Sequence, residues 1–115
     1  MTDGGCLRAL GENPDIPDMT PEAQINHEKH LKPGKSYPYL SMEAYVQKAG
    51  ELARSKVEGD IIGYKTTDGA IVRYNKVIHD WVKAFYTGVA TMFIPHDKVN
   101  YYNRQKIIDG GTEND

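Results

Sequence analysis

The sequence predicts an α+β fold in which N-terminal helices pack on a twisted antiparallel β-sheet of four to five strands. In the first half of the chain, apolar residues recur three and four positions apart, as on the buried face of a helix. Beyond Glu58-Gly59 the apolar period changes to alternation, and turn signals divide the rest into hairpins. Helices followed by hairpins are typical of an α+β domain.

The first helix is predicted from its N-terminal signals. Residues 11–22, "GENPDIPDMTPE", are rich in Pro and Asp and predict an irregular linker. Thr20 then supplies an N-cap and Pro21 a first helical residue, so a helix should run from about residue 21 to residue 31 and end before Pro33-Gly34. Residues 1–20 are therefore assigned to a linker, 21–110 to the folded domain and 111–115 to a tail.

A second helix is predicted after Ser41, which is a good N-cap residue. Its polar residues lie opposite one apolar face, which predicts that this helix is buried on one side. The apolar face is formed by Met42, Tyr45, Val46, Ala49, Leu52, Ala53 and Val57.

Two hairpins and a short last strand complete the predicted sheet. Residues 60–66 and 70–76 alternate around a "TDG" turn, and residues 79–86 and 89–94 flank Thr87-Gly88. The segment "NYYN" at 100–103 is interpreted as a short final strand.

Composition and charge limit the function classes. No apolar run approaches the length needed to cross a bilayer, so no membrane-spanning segment is expected. The single cysteine, Cys6, allows no internal disulfide.

The net charge is −2, but residues 27–107 carry thirteen Lys or Arg against eight Asp or Glu. A basic body between acidic ends favours an anionic partner such as RNA, although a solvated mixed surface is the more common explanation.

The stretch "INHEKHLKPGK" at 25–35 contains two histidines and three lysines. His27 and His30 are three residues apart and would share a helix face. They could be metal ligands, acid/base groups, part of an RNA-binding patch or a solvated helix end. The spacing differs from that of zinc-binding helices, and no second cysteine is present, so no metal site is assigned. No cofactor motif occurs either.

Metal-free RNA cleavage requires residue types that this chain has. A base takes the proton of a ribose 2′-OH, an acid protonates the leaving 5′-oxygen, and cations and hydroxyl donors stabilise the charged phosphorane. Histidine titrates near neutral pH and suits both proton transfers. A sheet face carrying Arg73, Thr91 and Phe93, with His30 at its edge, would form such a site. Arg73, His27 and Tyr102 all remain open as the general acid.

The segments "HEKHL", "YVQKA", "RYN" and "TMFIP", in this order, resemble the C-terminal ribonuclease domains of contact-dependent growth inhibition (CdiA-type) polymorphic toxins. These domains have the barnase–colicin–RelE-like fold and are related to colicin D, which cuts tRNA anticodon loops. The resemblance implies that His30 acts as acid or base, with Thr91 as the hydroxyl and Phe93 as the aromatic residue. RNA binding is then expected from Lys29, Lys32, Lys35, Phe93 and Tyr102.

The resemblance also implies a biological setting. Such a toxin is secreted as the C-terminal part of a large surface protein, acts in the cytoplasm of a target bacterium and is blocked by a cognate immunity protein. Residues 1–20 would be a remnant of the delivery protein. The substrate would be tRNA, and a host activating factor could assist cleavage. The alternative is a non-catalytic module that binds RNA or a protein with the same basic sheet face.

Overall fold

The computed structural model describes residues 11–111 and confirms the α+β class. Helix α1 (Pro21–His27) continues into a 3₁₀ helix (Glu28–Leu31), and α2 spans Met42–Arg54. Four strands follow, β1 (Ile61–Lys65), β2 (Ile71–Asn75), β3 (Trp81–Phe85) and β4 (Gly88–Phe93), and α3 spans Val99–Ile108.

Both N-terminal helices begin at the residues that the sequence indicates. The Thr20 hydroxyl accepts a hydrogen bond from the Ala23 amide at 3.2 Å, and the Ser41 hydroxyl accepts one from Ala44 at 3.1 Å. Each cap satisfies an amide that has no partner within its own helix. The predicted helix from 21 to 31 is thus present, but its last four residues form the tighter 3₁₀ helix.

The four strands form an antiparallel meander in the order β1-β2-β3-β4. Tyr74 on β2 pairs with Trp81 on β3, which pairs with Phe93 on β4, so these three residues form a row across the sheet. Thr91 pairs with Lys83 but Val89 pairs with Ala84, which is a β-bulge. Regular alternation along β4 would put Val89 on the same face as Thr91 and Phe93, but the bulge moves it to the opposite face.

Each face of the sheet is covered by one helix. Helix α2 covers one face, where the core includes Tyr45, Ala49, Ile71, Val82, Ala84, Val89 and Met92. Helix α3 covers the other face, where the core consists of Tyr64, Val72, Tyr74, Trp81 and Tyr102. Since both faces are covered, the sheet itself is open only at its edges and ends.

The predicted final strand at 100–103 is wrong, because these residues lie within α3. A run of tyrosine and asparagine suggested a strand, but this segment forms a helix that covers the apolar face of the sheet. Tyr102 packs between Tyr64 and Tyr74, with ring centroids 5.3 and 5.6 Å away. Burial of these rings outweighs the local preference.

Residues 11–20 contain no helix or strand but pack closely on the domain. Ile16 and Met19 are each 2% exposed and belong to the core under α2. The Val89 amide on β4 donates to the Pro17 carbonyl at 3.2 Å, so this segment covers part of the free edge of β4. Residues 1–10 and 112–115, which include Cys6 and most of the predicted tail, lie outside the described range, and the assignment of residues 1–20 to a delivery remnant stays a prediction.

Arg73 has a structural position that the sequence did not indicate. Its side chain is fully buried on the α2 side of the sheet. It donates to the carbonyls of Ser55 (2.9 Å), Val72 (3.2 Å) and Gly11 (3.0 Å). Burial lowers the pKa of its guanidinium to about 10, so the group stays cationic at neutral pH. Arg73 therefore connects the N-terminal segment, the end of α2 and β2.

None of the helices within residues 11–111 is both long enough and apolar enough to span a lipid bilayer.

Replacing Arg73 with Met tests its structural role. The substitution leaves buried carbonyls without their donor, so we expect the free energy of unfolding to fall by about 2–4 kcal/mol. Urea denaturation of the wild type and the variant measures this change. Arg104, which is exposed and paired with Asp97 at 2.8 Å, provides the control, since Arg104→Met should cost less than about 1 kcal/mol. Equal midpoints for Arg73→Met and wild type would contradict the structural role.

Candidate active site at the end of strand β4

His30 lies in the 3₁₀ helix beside the end of β4. Its carbonyl accepts a hydrogen bond from the Tyr37 amide at 2.8 Å, which fixes the backbone on both sides of the Pro33-Gly34 turn. The imidazole stacks on Phe93, with centroids 5.9 Å apart and planes inclined by 18°. The ring of Tyr45 on α2 also lies nearby, with centroids 6.4 Å apart. The histidine is half-buried, so one part of the ring packs on protein and another part reaches solvent.

His27 lies one turn before His30 on the same face. The two imidazole centroids are 5.4 Å apart, as the spacing of three residues predicts. The Nδ1 atom of His27 lies 2.7 Å from the Ala23 carbonyl oxygen. A carbonyl can only accept, so Nδ1 carries a proton and donates it. This bond holds the His27 ring in one orientation.

Three lysines lie close to the two histidines in the chain. Lys29, Lys32 and Lys35 are all exposed. Between the last two, Pro33 and Gly34 form a tight turn in which the Lys35 amide donates to the Lys32 carbonyl at 3.0 Å. Gly34 has φ of +81°, which a type II turn requires at this position and which glycine adopts without strain. The turn reverses the chain and returns Lys35 to the neighbourhood of His30.

The environment lowers the pKa of His30 below the ordinary value of 6.5. Burial is the main cause, and the positive charges of His27, Lys29 and Lys35 add to it. At neutral pH the imidazole is therefore uncharged and can accept a proton.

Two residues that sequence reasoning missed support the site. The Ser36 hydroxyl accepts a hydrogen bond from the Ile94 amide at 2.9 Å and so fixes the chain after the turn to the end of β4. The Tyr45 hydroxyl donates to the Met92 carbonyl at 2.7 Å. Burial raises the pKa of Tyr45 to about 12, so this tyrosine stays protonated and its role is positional. Its place on the apolar face of α2 was the only signal in the sequence.

Phe93 also contacts two other aromatic rings. Its ring lies 5.4 Å from Trp81 and 5.5 Å from Tyr101 of α3. Tyr101 and Trp81 also contact each other, at 5.3 Å. Phe93, Trp81 and Tyr101 therefore pack on one another as a group of three rings, and the imidazole of His30 stacks on one of them.

The structure does not bring all the predicted site residues together. Thr91 is half-buried, two residues before Phe93 on the same face, and pairs with Lys83 on β3. Arg73 lies on the α2 face, opposite to Thr91 and Phe93, so the three do not share one sheet face as predicted. Tyr102 is 2% exposed in the core under α3, whereas a contact with RNA requires an exposed side chain.

Other features lie away from His30. Among residues 11–111, no three His, Cys, Asp or Glu side chains come close enough to hold a metal ion. A cavity of about 470 Å³ lies between α1 and α2. It is lined by Asp18, Gln24, Glu43, Val46 and Gln47 and contains none of the predicted site residues.

Comparison of the chain with protein-family models, with curated proteins and with solved structures found no match. The resemblance to toxin ribonucleases therefore depends on the short sequence segments alone. The candidate site stands on its own geometry.

The lowered pKa of His30 predicts how stability depends on pH. The folded state resists protonation of this ring, whereas the unfolded chain takes up the proton near pH 6.5. The contribution of neutral His30 is thus complete above that pH and is lost as the pH falls towards the folded pKa. We expect the difference in unfolding free energy between wild type and His30→Gln to shift against the wild type between about pH 7.5 and pH 5.

The measurement is urea denaturation at a series of pH values. His96→Gln, a change at an exposed histidine in the loop between β4 and α3, provides the control for removing one imidazole. A difference that is constant or grows in favour of the wild type at low pH would show that the folded state does not disfavour the charged ring.

Proposed function

We propose that this protein is an endoribonuclease that cleaves RNA without a metal ion, through attack of a ribose 2′-OH on the adjacent phosphorus. The observation that carries the proposal is the half-buried imidazole of His30, which stacks on Phe93 and whose pKa is lowered by burial and by the charges of His27, Lys29 and Lys35. A neutral imidazole in a cationic environment can take a proton from a hydroxyl whose neighbouring phosphate is attracted to the same place.

The lysines supply the electrostatic part of this chemistry. The charges of Lys29 and Lys35 lower the pKa of His30, so both ammonium groups add to the positive potential that a phosphate beside the imidazole would meet. Their charge favours the phosphorane, which is more negative than the ground state. Lys32, at the other end of the turn, is exposed and is assigned to binding of a flanking phosphate.

Phe93 contributes by orienting His30. One face of its ring is covered by the imidazole, and other parts contact Trp81 and Tyr101. The stacking limits the rotation of His30 and so preorganises the base. The role first assigned to Phe93, direct contact with RNA, becomes secondary to this one.

The setting proposed from the sequence resemblance is interbacterial competition. In it the chain is the toxic end of a large secreted surface protein, its substrate is tRNA in the cytoplasm of the target bacterium, and a host factor can assist. The lysine-rich site around His30 supports the choice of an RNA substrate. A producing cell that contains such a site needs an immunity protein that covers it.

His30→Ala should lower the rate of RNA cleavage by at least about 10²–10⁴-fold, because it removes the proton acceptor. The assay uses total bacterial RNA and purified tRNA in excess EDTA, and the products should carry 2′,3′-cyclic phosphate and 5′-hydroxyl ends. His96→Ala serves as the matched histidine control and should cleave at the wild-type rate.

Three outcomes would count against this function. They are wild-type protein that binds RNA without cutting it, cleavage that stops in EDTA, and a folded His30→Ala variant that cuts at full speed. The first would favour the alternative, a non-catalytic RNA-binding module.

The proposed immunity protein should have an acidic contact surface, because it must cover Lys29, Lys32 and Lys35. We expect Lys35→Glu to weaken the complex and to slow its formation, with both effects reduced in high salt. Lys76→Glu is the control. Lys76 is also exposed, and its backbone amide donates to the carbonyl of Asp60, which precedes β1. Strand β1 is the outer strand at the other edge of the sheet, away from β4. Equal losses from the two reversals in calorimetry would place the contact elsewhere.

A further inference from the structure

We propose that His27 is the general acid of this site and His30 the general base, so that the two imidazoles act as a pair on one phosphodiester. This assignment rests on the proposed ribonuclease function and gives each histidine a separate step. It goes beyond the sequence, which leaves the general acid open among three residues.

The first observation is the anchoring of His27. Because Nδ1 donates to the Ala23 carbonyl at 2.7 Å, this nitrogen is protonated whether the ring is neutral or cationic. Every proton that His27 exchanges must therefore enter or leave through Nε2. A ring with one nitrogen fixed on a backbone carbonyl presents the other in a constant direction, as proton transfer requires.

The second observation is the distance between the rings. In-line displacement places the attacking 2′-oxygen and the leaving 5′-oxygen on opposite sides of phosphorus, so the acid and the base must be separate groups. Centroids 5.4 Å apart allow the two imidazoles to reach the two oxygens of a single linkage by hydrogen bonds. The other histidines of the described chain, His79 and His96, belong to loops before β3 and after β4.

The third observation concerns which ring is suited to accept a proton. The imidazole of His30 packs on Phe93 and Tyr45, and burial together with the charges of His27, Lys29 and Lys35 lowers its pKa. His30 is therefore the base of the pair. His27, which is anchored through Nδ1 on the Ala23 carbonyl, is left as the ring that donates a proton through Nε2.

The cleavage step is then balanced. Neutral His30 takes the proton of the 2′-OH while the 2′-oxygen forms a bond to phosphorus. The bond from phosphorus to the 5′-oxygen breaks, and that oxygen receives the Nε2 proton of His27. The products are a 2′,3′-cyclic phosphate and a 5′-hydroxyl, with His30 now cationic and His27 neutral. Exchange with water returns both rings to their starting forms.

His27→Asn tests the assignment, because the asparagine amide can still donate to the Ala23 carbonyl but cannot transfer a proton. We expect it to slow cleavage of ordinary RNA by about 10²–10³-fold. The decisive substrate is an oligonucleotide with sulfur in place of the 5′-oxygen at the mapped cleavage site, since a thiolate leaves without being protonated. With it, His27→Asn should cut at nearly the wild-type rate, whereas His30→Ala stays slow.

The pH profile gives a second, independent readout. Wild-type cleavage should fall at both high and low pH, because the reaction needs one group that donates a proton and a neutral His30 that accepts one. In His27→Asn the fall at high pH should disappear. The fall at low pH should move to higher pH, because the charge of His27 no longer opposes protonation of His30.

A His27→Asn variant that is equally slow on the oxygen and sulfur substrates, or that keeps the fall at high pH, would overturn the assignment while leaving the ribonuclease function intact. Wild-type protein that fails to cut either substrate would instead refute the function itself. The two failures are therefore distinguishable.

Discussion

The free edge of strand β4 is the constraint on which the arrangement of this protein depends. A meander of four strands with a helix on each face still leaves backbone groups unpaired along its outer strands. At β4 the N-terminal part of the chain satisfies two such amides. Pro17 accepts from Val89, and the Ser36 hydroxyl accepts from Ile94 just after the strand. The chain between these two contacts must follow the edge, and it contains both histidines.

This constraint explains why a site forms at the end of β4. Between residues 17 and 36 the chain has room for one short helix, a 3₁₀ helix and a tight turn, and all three are present. The face that meets the sheet presents Ala23 and Leu31 to the core and places His27 and His30 at its border. The lysines occupy the outer side. A border between an aromatic core and a cationic surface is where an imidazole is both partly desolvated and accessible.

Local signals in the sequence predicted the elements that depend on local interactions. Thr20 and Ser41 mark helix starts through their side-chain caps, and the alternation around "TDG" predicts a hairpin that the structure confirms. The spacing of His27 and His30 likewise predicted that their rings would be neighbours. These inferences need only the geometry of one turn or one helix.

The errors all concern relations between distant segments. Arg73 shares a face with Ile71 as predicted, but only the packing of α2 and Gly11 shows that this face is closed. Thr91 and Phe93 are separated from Arg73 because strand register decides which sides face each other. Tyr101 and Tyr102 lie in a helix because the aromatic face of the sheet had to be covered. These contacts between distant segments cannot be read from a short stretch of sequence.

An NMR titration of His30 in the free protein provides the sharpest test of its role as the base. Because burial and the neighbouring charges lower its pKa, we expect His30 to titrate below 6.5, and we expect its midpoint to rise in His27→Asn, where one neighbouring positive charge is removed. A His30 that titrates at or above 6.5 in the folded protein, with a midpoint unaffected by the change at His27, would refute its assignment as a neutral base.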